Sequence, residues 1–322
     1  MGQKGQSMAD ARTIILHNYE ASPFSEKIRL ALRLKNLAWS SVDIPPIMPK
    51  PDLMPLTGGY RRTPVMQIGA DIYCDTAIIL RTLETRYRVP SLDLPGHEGL
   101  SSMVASWTDG KWFQTSVGVI FGAHGEALPK EFIEDRQKMS GDRFNLEAMM
   151  AVAPMLRDQW RAQLMWVEER LSGGRGAGSG LYIIGTKPGL ADVHAHMNIW
   201  FVKQHLPDFV DACFETAPLT AEWYRRLEEV EGQAPAEITA SDALEIAKKA
   251  GPRLIAATTD YEQQEFRPGD QIAITADDYA RDPIEGSLVH ADAQSVILQR
   301  SDPDVETVHV HFPRAGYLVR KL

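Results

Sequence analysis

The chain has 322 residues, with 43 acidic against 34 basic side chains and a formal charge of -9. This balance argues against phosphate-backbone binding, which depends on clustered Lys and Arg. Although 44% of the residues are apolar, no apolar run is long enough to cross a bilayer, so neither nucleic acid nor a membrane span is expected. So long a chain exceeds one typical core, and two or three domains are expected. The polar start, Met1 to Thr13, lacks the apolar segment of a secretory signal, and the two cysteines, Cys74 and Cys213, lie far apart. Both features fit a reducing compartment and predict a cytoplasmic address.

Ile14 to Leu16 form a short apolar strand, and turn-prone residues Asn18 to Pro23 lead into a helix over Phe24 to Lys35. Phe24, Ile28, Ala31 and Leu32 recur there at helical spacing, with Glu26, Lys27, Arg33 and Lys35 on the charged face. A strand is predicted around Trp39 to Ile44. Ile44 to Gly59, with five prolines and two glycines, reads as a long surface loop. Pro64 to Ile68 and Ile72 to Cys74 read as a hairpin, and Asp75 or Thr76 caps the helix that runs to Tyr87. This order is that of a thioredoxin-like domain, placed at 13-90.

From Gly99 to about Val230 the pattern becomes helical, predicting an all-helical domain at 99-235. Within it, the Gly-rich stretch Ser172 to Gly180 predicts a mobile loop. Ser241 to Ala250 reads as a capped helix. Alternating segments at 271-275, 286-290, 295-299, 307-312 and 316-319 then predict a small antiparallel β domain, a barrel or sandwich, at 240-322.

The most informative stretch is Ser22-Pro23-Phe24-Ser25-Glu26-Lys27-Ile28-Arg29-Leu30, which places a hydroxyl between the first strand and the first helix. A helix N-terminus offers unpaired N–H groups and partial positive charge, so a thiolate or phosphate is stabilised there. The plain alternative is that Ser22 only caps the helix. Arg61-Arg62-Thr63-Pro64-Val65 sets a proline ahead of a strand, where a cis bond would turn the Thr63 backbone towards the first helix. Asp75-Thr76 opens the next helix with a carboxylate and a hydroxyl suited to the two ends of an amino acid.

Together these residues resemble the glutathione transferase superfamily. Ser22 to Leu30 resembles the Cys-Pro-Phe signature of omega-like transferases with serine in place of cysteine, and serine at this spot also resembles the theta, delta and phi classes. Thr63-Pro64-Val65 resembles the family's Val-Pro-Val element, and Asp75-Thr76 its acid-hydroxyl pair. Ile184 to Asp192 resembles the family's helix-capping motif, with Gly189 in place of the hydroxyl residue, so half of a capping box is missing and Asp192 is left with backbone N–H groups alone.

The resemblance covers roughly 13 to 230 and implies glutathione as cosubstrate, a small apolar electrophile as second partner, and a homodimer. It implies that Ser22 donates to the glutathione sulfur. Lowering a thiol pKa by about two units takes about 2.7 kcal/mol. One hydrogen bond to a charged group supplies roughly 1.5 to 3 kcal/mol and a helix N-terminus about 0.3 to 1 more. Thr63, with Pro64, is expected to pair with the cysteinyl part, Asp75 and Thr76 to hold the γ-glutamyl end, and Lys50 to meet the glycyl carboxylate. Tyr19 stands three residues before the motif serine and is expected to pack.

Without a thiol at position 22, a mixed disulfide cannot form there, so thiolate attack on an electrophile is preferred to thiol transfer. Cys74 is read as a small buried hydrophobe. Trp107, Trp112, Phe113 and Phe121 are candidates for an electrophile pocket. His309 and His311 share a strand face with His290 near, but no third ligand is identifiable and no metal is expected. His194 and His196 point in different directions on one helix. Two rival readings are a glutathione-dependent lyase, isomerase or dehalogenase, and a non-enzymatic binding protein on a transferase scaffold.

Overall fold

The computed structural model describes residues 12–97, 99–141, 144–173, 180–256 and 266–322. The leader through residue 11 and the heart of the Gly-rich stretch, 174–179, lie outside the described residues. The chain divides into two compact units. One combines the segment through Glu20 with Ala38–Arg81 and Ala234–Leu322, and the other combines Ala21–Leu37 with Thr82–Gln233.

The first unit is built on strands β1 (Ile14–Asn18), β2 (Trp39–Asp43), β3 (Val65–Ile68) and β4 (Asp71–Cys74), followed by the short β5 (Ala236–Glu237). The C-terminal strands are β6 (Gln271–Ala276), β7 (Ile284–Ala291), β8 (Ser295–Asp302), β9 (Glu306–Pro313) and β10 (Tyr317–Lys321). All ten join one sheet in the order β10-β6-β7-β8-β9-β4-β3-β1-β2-β5. The expected antiparallel C-terminal β region is therefore present, and through β9 and β4 it is continuous with the strands of the first domain in one sheet.

The physical reason lies at one seam. β4 would otherwise present a row of unpaired backbone groups at an exposed edge. Instead β9 pairs with it in parallel, Asp71 with His309, Ile72 with Val310 and Tyr73 with His311. His311 Nε2 lies 2.8 Å from Asp71 Oδ1, and its ring stacks on Tyr73 at 4.4 Å. Ile72, Val310, Phe312, Leu298 and Ile272 are fully buried in one core that spans both halves of the sheet. Each such side chain contributes about 1.5 to 3 kcal/mol of burial. The loop expected over Ile44 to Gly59 contains one turn of helix, α2 (Met54–Thr57), because Leu53 and Leu56 bury against this core.

The other helices are α1 (Pro23–Leu34), α3 (Thr76–Arg86), α4 (Leu100–Ala105), α5 (Phe113–His124), α6 (Lys130–Ser140), α7 (Leu146–Ser172), α8 (Leu190–His205), α9 (Pro207–Phe214), α10 (Pro218–Glu228) and α11 (Ala240–Ala250). Helices α1 and α4 to α10 make the second, helical unit, whose core holds the fully buried Trp112, Trp160 and Trp223. Between α4 and α5, Ser106–Trp112 is wound as a π-helix. Among the described residues no helix is long and apolar enough to cross a membrane.

Candidate functional site

In the helical unit, Ser22 is the N-cap of α1 and its Oγ accepts from the Ser25 N–H at 3.1 Å. A hydroxyl that accepts one bond keeps its own hydrogen to donate. Ser22 is 2% exposed, and Pro23 stands at the first helical position, where a missing N–H costs nothing. One turn on, Ser25 is fully buried and its Oγ has no hydrogen-bond partner among the described residues. An unpaired buried hydroxyl opposes folding. Ser25→Ala is therefore expected to leave stability unchanged or raise it by up to about 1 kcal/mol in urea titrations; a clear loss would show that the hydroxyl is satisfied.

Helix α1 is anchored by charge. Lys27 is fully buried, and its Nζ donates to Asp109 Oδ2 at 2.6 Å, within the π-helical turn. Burial opposes ionisation of Asp109, but the Lys27 ammonium and His194, whose Nδ1 lies 3.7 Å away, outweigh it and hold the carboxyl down at about 2. On the same helix Glu26 accepts from Arg29 and Arg33, each at 2.8 Å. Glu26, His196 and Glu228 bring ligand-type atoms within 4.8 Å of one another. Both Glu26 oxygens already face guanidinium groups and His196 Nε2 meets Glu228 at 2.7 Å, so this cluster reads as a charge-balanced ion-pair network.

In the sheet unit, the β3–β4 register pairs Val65 with Cys74. Continued by one residue, it sets Pro64 opposite Asp75 and brings Thr63-Pro64 and Asp75-Thr76 to the same end of the hairpin. The Thr63–Pro64 peptide is cis. Asp75, with φ of 98°, caps α3: its Oδ1 accepts from the Ala77 N–H at 2.9 Å and its carbonyl from the Ile79 N–H at 3.1 Å. Of the two predicted caps, Asp75 makes these bonds, while Thr76 is buried at the head of the helix.

Lys50, expected to reach a carboxylate, is buried, and its Nζ donates to the Arg61 carbonyl at 3.0 Å and to Thr63 Oγ1 at 2.9 Å. It fastens the loop that carries Thr63. Tyr19 packs against the sheet core, as expected from its offset. Cys74 is fully buried, and burial pushes its thiol well up, which fits a small hydrophobe.

The predicted pocket aromatics separate. Trp112 is fully buried, stacked on Trp107 at 4.9 Å and tilted against Trp160, and is a core residue rather than a pocket wall. Trp107 is half-buried and donates from Nε1 to Gln163 Oε1 at 2.8 Å. Phe113 is half-buried and meets Phe24, two residues beyond Ser22, edge-on at 4.6 Å, so it keeps a place beside the α1 N-terminus. Phe121 packs with Phe132 and Phe144. The histidines singled out for a metal are also engaged: His311 with Asp71, and His290 with Asp292 at 3.2 Å. Burial lowers the pKa of His309.

Sequence reasoning missed two residues beside the hairpin end. Tyr60 and Tyr317 place their hydroxyls 3.1 Å apart, and Tyr317 donates to Asp75 Oδ2 at 3.0 Å. No local pattern links positions so far apart in the chain.

A thioredoxin-like strand-helix order, a serine-capped first helix, an acid-capped third helix and an all-helical second part define a glutathione transferase-like protein. Residues 16–91 match the family model of the glutathione S-transferase N-terminal domain. A GST-like protein from Pseudomonas syringae is 33% identical, with a TM-score of 0.73, over 97% of this chain and 100% of its own. The chain belongs to the glutathione transferase family. Its fold is also shared by a glutathione S-transferase from Rhodospirillum rubrum F11, 18% identical with a TM-score of 0.51, and by FzlA from C. crescentus, 20% identical with a TM-score of 0.50. Each of these two covers 67% of this chain and 88% of its own length. At 97% coverage the P. syringae protein must share most of the C-terminal strands as well. No curated protein matches the sequence.

Proposed function

We propose that the protein binds glutathione and activates its thiol for attack on a small apolar electrophile, with Ser22 donating to the thiolate. The observation that carries this reading is the Ser22 hydroxyl at the N-terminus of α1, which accepts from the Ser25 N–H and retains a proton to give. The helix N-terminus adds favourable potential for an anion. Thr63, beside cis Pro64, would pair with the cysteinyl backbone, and Asp75 with Thr76 would hold the γ-glutamyl end. Phe113, beside Phe24, is the aromatic best placed to meet an apolar electrophile. A serine at position 22, with no thiol to form a mixed disulfide, supports thiolate stabilisation over thiol transfer in this reading. A cytoplasmic address and a homodimer belong to the same proposal.

One observation favours a rival: Ser22 is 2% exposed and its oxygen is used as a cap, as in a scaffold that binds without catalysis. Titrating glutathione while recording thiolate absorbance separates the two. Wild-type protein is expected to bind at millimolar glutathione and to ionise it near neutral pH. Ser22→Ala should raise the pKa of the bound thiol by roughly one to two units, the worth of one hydrogen bond to a charged group. No binding sinks the enzyme reading. Binding with an unchanged thiol pKa in Ser22→Ala removes Ser22 from the mechanism.

A further inference from the structure

Tyr317 begins β10, which lies five strand spacings from β4 in the sheet. Across a flat sheet that is about 24 Å, too far for any side chain to span. Yet Tyr317 hydrogen-bonds Asp75, the residue that follows β4. The sheet therefore curls until its last strand meets the end of the β3–β4 hairpin. Tyr317 is 5% exposed, packs on Phe312 at 5.2 Å, and its carbonyl accepts from Arg314 Nη1 at 3.0 Å. Since Tyr317 gives its proton to Asp75, the bond between the two tyrosines runs from the Tyr60 hydroxyl to the Tyr317 oxygen. Burial, reinforced by the neighbouring Asp75 charge, pushes both phenols well up, so each remains a neutral donor.

The same C-terminal segment grips the hairpin end a second time. Arg62, directly before Thr63, donates to the Asp278 carboxylate and to the Tyr279 carbonyl, and its guanidinium lies 4.1 Å from the centre of the Tyr279 ring. Both shoulders of the predicted tripeptide site, Arg62-Thr63 and Asp75, are thus held by residues of the C-terminal strands and their connection.

We propose that the C-terminal extension is a working part of the glutathione site, with Tyr317 positioning the Asp75 carboxylate for the γ-glutamyl ammonium and Asp278 with Tyr279 positioning the Thr63 backbone. The inference rests on the glutathione reading above. The chemistry of the donor matters: a carboxylate has about four acceptor positions, and a phenol occupies one without cancelling the charge. An Arg or Lys in the same place would orient Asp75 but neutralise it. Asp75 needs such a fastening because its φ of 98° lies where a residue with a Cβ is rarely stable.

The test is isothermal titration of the full-length protein with glutathione sulfonate, and with cysteinylglycine sulfonate, which lacks the γ-glutamyl group. Tyr317→Phe should weaken binding of the tripeptide about tenfold, leave the weaker dipeptide affinity unchanged, and have no further effect in an Asp75→Asn background. Equal tripeptide affinity in wild type and Tyr317→Phe overturns the inference while leaving the transferase reading intact. So does an equal loss for tripeptide and dipeptide, which would mark Tyr317 as merely structural. If wild-type protein binds no glutathione sulfonate, the transferase reading itself fails and takes this inference with it. Should Tyr317→Phe not fold, as judged by its melting profile, Asp278→Asn tests the other shoulder: about threefold weaker binding of both ligands is expected, and unchanged affinity overturns the inference.

Discussion

Asp192→Ala is expected to lower the thermal midpoint by roughly 10 °C, equivalent to a loss of about 3 to 5 kcal/mol. Asp192 is fully buried at the start of α8, and its carboxylate serves three donors. Oδ2 accepts from the Gly189 N–H at 2.8 Å, and Oδ1 from the Ile183 N–H at 2.8 Å and the Trp223 indole at 2.7 Å. Burial pushes the carboxyl up to about 6, against the pull of these bonds, so it is mostly ionised at pH 7.5. Alanine strands all three donors in the core at about 1 to 3 kcal/mol each, less whatever relaxation recovers. Asn keeps one acceptor but turns an amide NH2 towards donors, so Asp192→Asn should fall between wild type and alanine. Guanidinium titrations at pH 7.5 measure the series. A loss below about 1 kcal/mol for alanine would mean that the donors find other partners. Gly189 supplies no side-chain oxygen, as its identity requires, so only one half of a capping box exists. The expectation that Asp192 works with backbone groups alone missed the indole of Trp223, which lies two helices further on, in α10.

What was legible in the sequence was local. Alternation and turn residues located the C-terminal strands because each strand's period depends on its own neighbours. Ser22 and Asp75 were legible as caps because a cap is defined within three or four residues of its helix. What the sequence concealed is non-local. Nothing in Thr307 to Phe312 says that this strand, besides pairing with β8 of its own segment, also takes Asp71 to Tyr73 on its other edge, so a self-contained barrel or sandwich was the simpler expectation. Lys50 was expected at the glycyl carboxylate only through the family resemblance. The fold shows it buried, with its Nζ on the Arg61 carbonyl and on Thr63 Oγ1, a placement that no local pattern announces. The His309-x-His311 pair could be placed on one strand face from the sequence, but not at the strand seam where His311 takes Asp71. Trp112 illustrates the same limit: period three and four marks a buried face, but not whether that face meets a core or a cleft.

The second large effect is a loss of stability in mild acid, carried by His17. This residue lies on β1, 2% exposed, with Nε2 2.9 Å from Gln67 Oε1. The Gln67 amide nitrogen donates to the carbonyls of Gly69 at 3.0 Å and Ala243 at 2.8 Å. Its oxygen is therefore the acceptor, and His17 is the neutral tautomer with the proton on Nε2. Through this amide the first strand, the hairpin and α11 are tied together. Burial lowers the His17 pKa from 6.5 to about 4, and the bond to Gln67 offsets this only in part. The unfolded chain then takes up a proton near pH 6.5 that the folded chain refuses until about pH 4, so stability is complete above pH 6.5 and falls as the pH drops between those values. The expected loss attributable to this one group is about 2 kcal/mol at pH 5, approaching about 3 kcal/mol at pH 4. Carboxylates contribute their own acid losses, so the measurement is a difference: urea midpoints at pH 7.5 and pH 5 for wild type and for His17→Gln, whose amide keeps a donor towards Gln67 but has no proton to gain. His17→Gln should be less stable than wild type at pH 7.5 and lose about 2 kcal/mol less on going to pH 5. Parallel losses in the two proteins would show that His17 is protonated in the folded state and that the tie between β1, β3 and α11 survives its charge.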